Sequence, residues 1–160
     1  MEIMIGMTVF ALIATASVAA LLHSRRLTES SLRQNTAQIT AHGYLEQLKG
    51  INFRLLDTSP VKVRFGNGDL VDDEIILSPL PRSPATAVKN VRKLDVNNTP
   101  GTSDDDLELS IVVYVEPVAE SVNTDGPARA ISIDYEWNEL SAAGSRLRRA
   151  TVACIRSDMP

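Results

Sequence analysis

The sequence predicts an α+β protein in which one long N-terminal helix packs on a small antiparallel β-sheet. Three observations carry this. No proline occurs before Pro60, and residues with good helix propensity dominate the first 49 positions. Beyond Gly50 the apolar residues change to a period of two, the spacing of half-buried strands. Turn clusters rich in Gly, Pro, Asn and Asp separate these alternating segments, and the last two segments read as an antiparallel hairpin.

The predicted helix has two chemically different halves. Residues 1–22, MEIMIGMTVFALIATASVAALL, are uncharged apart from Glu2. Ile3 to Leu22 supplies about 20 mostly apolar residues, the length that crosses ~30 Å of hydrocarbon as a helix. A removed secretory signal is the competing interpretation, but no basic n-region precedes the run and no Ala-x-Ala-like site follows it. Gly6, Ala11, Ala14, Thr15, Ala16, Ser17, Ala19 and Ala20 leave room for neighbouring helices to approach closely, as helices in lipid require. Ile3, Gly6, Phe10, Ala11, Ala14 and Ala20 are the candidate helix-packing positions. Glu2 raises a separate question. A carboxylate at the bilayer centre costs roughly 2.5–3.5 kcal/mol on insertion scales, so it needs an interfacial position or a partner.

From His23 the helix becomes amphipathic. At about 100° per residue, Leu27, Ala37, Ala41, Tyr44, Leu45 and Leu48 share an arc of roughly 100°, the stripe expected to pack on the globular part. Leu32 and Ile39 point the other way, either as contacts for another chain or as isolated surface hydrophobes. Gly50 is the expected stop. The predicted rod is ~75 Å long at 1.5 Å per residue. Three regions follow: an apolar helix over 1–22, an amphipathic continuation over 23–50, and a globular β region over 51–160.

In the β region Val61, Val63 and Phe65 alternate with Lys62 and Arg64 before a turn at Gly66–Gly68. Glu74–Leu77 is a further short strand candidate. The proline-rich stretch from Pro79 to Asp106 reads as one long loop. Leu107, Leu109, Ile111, Val113 and Val115 then alternate with Glu108, Ser110 and Tyr114. After a turn at Asn123–Pro127, Ile131, Ile133, Tyr135 and Trp137 alternate with polar residues. A loop containing Gly144 leads into RRATVACI, which completes a hairpin.

Catalytic and cofactor chemistry finds no foothold. The chain carries 16 Lys and Arg against 20 Asp and Glu, a net charge of −4, without the concentrated basic footprint of a nucleic-acid binder. A single cysteine, Cys154, forms no intrachain disulfide and builds no thiolate zinc site; a buried thiol is the expectation. His23 and His42 lie 19 residues apart on the predicted helix, ~28 Å, too far for a shared metal. GNGD lacks the lysine of a phosphate loop. Asp104, Asp105 and Asp106, and likewise Asp72, Asp73 and Glu74, offer hard oxygen ligands that suit calcium, though neither run fits an EF-hand. Solvated acidic loops are the expected reading, with no metal, no cofactor and no enzyme activity.

An apolar N-terminal segment with one glutamate near its start, running into an amphipathic helix and then a small β domain, resembles the type IV pilins and the pseudopilins of type II secretion. MEIMIGMTVFALIA looks like that family's N-terminal motif from its fourth residue onward, which makes Glu2 the family glutamate. The resemblance covers residues 1 to about 50. It implies that a basic leader, a glycine cut by prepilin peptidase and the first mature residues precede Met1. It further implies a helical filament of identical subunits, assembled by inner-membrane machinery, with Glu2 pairing with the N-terminal ammonium of a neighbouring subunit. The expected locations are the bacterial inner membrane before assembly and a periplasmic or extracellular filament afterwards. Departures are the missing helix-breaking proline, the missing second cysteine, and Arg25–Arg26, which by the positive-inside rule would hold the β region in the cytoplasm. Alternatives are a minor, tip or priming pseudopilin, with Tyr135 and Trp137 as a partner surface, and a membrane-anchored binding domain that never polymerises.

Overall fold

The computed structural model describes residues 2–57, 59–64, 72–96, 106–118, 128–141 and 144–157. It has the α+β architecture expected: helix α1 (Glu2–Gly50), a 3-10 turn (Phe53–Asp57), and strands β1 (Val61–Arg64), β2 (Asp72–Ile75), β3 (Asn90–Leu94), β4 (Leu107–Val118), β5 (Ala128–Ser141) and β6 (Gly144–Ser157). β1 and β2 form an antiparallel pair, and β3-β4-β5-β6 form a four-stranded antiparallel meander. β5 and β6 pair from Ala128↔Ser157 to Ser141↔Gly144, so Gly144 opens a strand and does not sit in a loop.

The core lies between the second half of α1 and one face of the meander. Leu107, Leu109, Ile111 and Val113 on β4 and Ile131, Ile133, Tyr135 and Trp137 on β5 are buried there, against Ala37, Ala41, Tyr44, Leu45 and Leu48 of α1. The period-two and period-3.6 patterns meet because each places its apolar side chains on one face. Val61 and Ile75, opposite one another in β1 and β2, close the core, and Phe53 and Leu56 fill it below the helix. Tyr135 and Trp137 stack with ring centroids 5.6 Å apart, as core residues. The alternative that made them a partner surface is therefore corrected, since both side chains are buried in this chain's own core.

Two further expectations need correction. Leu27 does not pack on the globular part and is 59% exposed. It has the azimuth of the buried Leu45, five turns later, but lies ten residues, ~15 Å, above Ala37, the first buried position on the helix. The direction was right and the sheet does not reach that far. The stretch from Pro79 to Asp106 is not all loop, since it contains β3, paired with β4 from Asn90↔Ile111 to Leu94↔Leu107. Its core-facing positions include Asn90 and Arg92, which leave no apolar alternation to read. The strand near Glu74–Leu77 falls over Asp72–Ile75, with Leu77 forming an isolated parallel bridge to Val113. The expected turns at Gly66–Gly68 and Asn123–Pro127 lie outside the described residues. Gly50 is the last helical residue, as expected.

Polar bonds stitch the layers. Asn90 Nδ2 donates to the carbonyls of Ile76 (3.0 Å) and Ile111 (3.2 Å), while its Oδ1 accepts from Ile76 N–H (2.9 Å). One buried amide thus bonds both backbone groups of Ile76, just beyond the end of β2. Arg92 Nε donates to the hydroxyl of Tyr44, 2.9 Å away, linking β3 to the helix. At the helix C-terminus Arg156 donates to the carbonyls of Leu48 and Ile51 and lies over the Phe53 ring, a cation where the macrodipole is negative.

Candidate assembly surface

Every described side chain of α1 from Ile3 to Glu29 is exposed on this chain. Ile3 is 81% and Phe10 74% exposed, and Ala11, Ala14 and Ala20 are likewise uncovered. The helix is long and apolar enough to cross a membrane, and none of its most apolar window is buried within the chain. Such a surface is unfavourable in water, at about 25 cal/mol per Å². Burial in lipid or against other helices would relieve that cost.

The hydroxyls between Ile3 and Leu22 make no demand on water. Thr8 Oγ1 donates to the carbonyls of Met4 (3.1 Å) and Ile5 (2.8 Å), Thr15 Oγ1 to those of Ala11 (2.7 Å) and Leu12 (3.0 Å), and Ser17 Oγ to that of Ile13 (2.8 Å). The helix ladder satisfies the backbone, and the hydroxyls fold back on it, as polar groups in hydrocarbon must. At Gly6 an added Cβ would meet nothing within 4 Å, so packing inside this chain does not require glycine there. The notch is space that a neighbouring backbone can use. Glu2 begins the helix, where the macrodipole favours an anion; its side chain lies outside the described residues.

Below the apolar half, Leu32 (43%) and Ile39 (72%) are exposed on the face opposite the sheet. Ala37, Ala41, Tyr44, Leu45 and Leu48 are turned into the core. The structure therefore separates two helix surfaces, one committed to the head and one left open.

A groove of about 490 Å³ on the sheet face away from the helix is lined by Arg82, Lys89, Tyr114, Glu136, Arg149 and neighbours. Its charges are internally compensated. Glu136 binds Lys89 (2.9 Å) and Arg149 (2.7 Å), Arg82 pairs with Glu116, and the Arg82 guanidinium covers the Tyr114 ring at 5.0 Å. His23 and His42 are both exposed on α1. The Cys154 thiol is half-buried and burial pushes its pKa up, so it is a poor thiolate nucleophile at neutral pH. Burial likewise raises the Tyr135 phenol.

No group of three metal-ligating side chains occurs among the described residues. Asp104 and Asp105 lie outside them, as do the side chains of Asp72 and Asp73; Asp106 is half-buried before β4 and Glu74 is exposed on β2.

Sequence patterns did not reveal three polar linkages: Tyr44 with Arg92, Asp57 with Arg129, and Ser30 with Glu139. Asp57 and Arg129 make a two-bond pair at 2.9 and 3.0 Å that lowers the Asp57 pKa and raises that of Arg129, and Arg129 also lies over Phe53 at 5.5 Å. Compared with protein-family models, curated proteins and solved structures, the chain matches none.

Proposed function

We propose that this chain is a structural subunit of a helical filament of the type IV pilus or pseudopilus kind, held together by its apolar N-terminal helix. The observation that carries the reading is the division of α1. Its second half is consumed by the head, while Ile3–Leu22 is wholly uncovered, apolar, notched with small residues and free of hydroxyls that need water.

In this reading the helix first resides in the bacterial inner membrane, with the head on its outer side. After prepilin peptidase processing, the assembly machinery moves the helix into a bundle of identical helices, and the filament extends into the periplasm or beyond the cell. Ile3, Gly6, Phe10, Ala11, Ala14 and Ala20 line the bundle, with the heads outside. Glu2 exchanges an uncompensated carboxylate in apolar surroundings for one paired with a neighbour's N-terminal ammonium, and the relief of that cost drives docking. The chain performs no catalysis and holds no cofactor.

The experiment is imaging of sheared surface material from cells expressing the chain with its assembly machinery, beside a Glu2→Ala variant. Filaments containing the chain, lost in Glu2→Ala while the head unfolds at its usual temperature, support the reading. Normal filaments from Glu2→Ala would remove the role given to Glu2, and no filaments from either would remove the filament.

A further inference from the structure

The filament reading requires that every copy present its rod in the same direction relative to its head, and the fold makes this mechanically demanding. The first buried side chain of α1 is Ala37. From there to Ile3 the helix runs 34 residues, ~51 Å at 1.5 Å per residue. An angular play of about 10° at Ala37 moves the tip by ~9 Å, close to a full interhelical spacing. The apolar contact spans Ala37 to Leu48, ~17 Å and about a third of the free length, so any small tilt it allows is magnified about threefold at the tip.

A polar linkage between helix and sheet stands further out. The Ser30 hydroxyl donates to Glu139 Oε1 on β5, and Arg148 on β6 donates to Glu139 Oε2. Arg146 faces Glu139 in the β5–β6 register. The Ser30 bond, then Arg148 and the nearby cations, hold the Glu139 carboxyl below its ordinary pKa range, so it is ionised at neutral pH. Among the described side chains of α1, Ser30 is the first that is half-buried, and between it and Ala37 no helix side chain is fully buried. The linkage sits ~10 Å outward of the apolar contact and joins three elements.

We propose that Ser30, Glu139 and Arg148 form an alignment brace that fixes the direction of the rod on the head, with Glu139 as a positioning residue for assembly. The assembly half of this statement rests on the filament reading; the alignment half does not. The brace adds little to folding stability, since a partly exposed polar linkage is weakened by solvent screening. Its effect is on direction.

The test uses the full chain in detergent with Cys154→Ser, and spin labels at His23→Cys on the rod and Ala153→Cys on β6. His23 lies 14 residues, ~21 Å, outward of Ala37, so about 10° of play adds about 4 Å to the width of the distance distribution. Ser30→Ala and Glu139→Ala should both show that broadening, with a thermal midpoint within about 3 °C of the parent. Ser30→Thr, which keeps the hydroxyl, should stay narrow. Distributions as narrow as the parent in Ser30→Ala overturn the brace, even if Glu139→Ala fails to fold. Broadened variants that still give a parental yield of filaments overturn the assembly role. A parent that forms no filaments overturns the filament reading, while the width still decides the alignment.

Discussion

Truncating Leu48 to alanine tests the division of α1 between head and open surface. Leu48 is fully buried among residues of both helix and sheet. Its removal loses the transfer free energy of the deleted carbons and leaves a cavity that rigid strands cannot fill, together about 3 kcal/mol. At ~4 °C per kcal/mol for a unit of this size, the thermal midpoint should fall by about 12 °C. Trp137, the sole tryptophan, is buried in the same core, so its fluorescence follows unfolding directly. Ile39→Ala is the control. That side chain is 72% exposed, so the head should lose under ~0.5 kcal/mol. Equal losses from the two variants, or a fall below about 3 °C for Leu48→Ala, would refute the packing of the helix on the sheet.

Other outcomes follow from the polar linkages. Tyr44→Phe removes the acceptor of Arg92 Nε and should cost about 1 kcal/mol in chemical denaturation. Asn90→Ala strands the N–H and carbonyl of Ile76 and should cost about 2 kcal/mol, with faster hydrogen exchange at Ile76. Asp57 has its folded pKa depressed by Arg129, so its stabilisation is complete above the unfolded value of about 3.9 and is lost as pH falls through the lower folded value. Asp57→Asn should therefore be less stable than the parent at pH 7, by under ~1 kcal/mol because the pair is largely solvated, and the gap should close in an acid titration below about pH 4.

What the sequence made legible was whatever single-faced burial imposes. The helix is long and uninterrupted because nothing in its first 50 residues breaks it, and β4 and β5 are apparent because one face of each contacts the helix. β3 escaped because it replaces apolar side chains with Asn90 and Arg92, whose bonds form only after β2, β4 and α1 have come together. Leu27 was misplaced because a helical wheel gives azimuth and says nothing of where the sheet ends. Tyr114, in a polar position of the β4 alternation, is buried on the outer face with Arg82 over its ring, a contact supplied by a residue 32 positions away. The brace at Glu139 was invisible for the same reason, since Ser30 and Glu139 are 109 residues apart. The apolar half of α1 was the opposite case, read directly from composition.

In the proposed filament, the Ile3–Leu22 surface leaves lipid to pack among copies of itself. The most direct measurement of that transfer is the accessibility of a spin label at Phe10→Cys, in the Cys154→Ser chain, to oxygen dissolved in lipid. The comparison is between the membrane fraction and the sheared surface fraction. High accessibility in the membrane and a strong loss in the surface fraction is the predicted result. A label that stays open to acyl chains wherever the protein is found, with none recovered in a surface fraction, would contradict it.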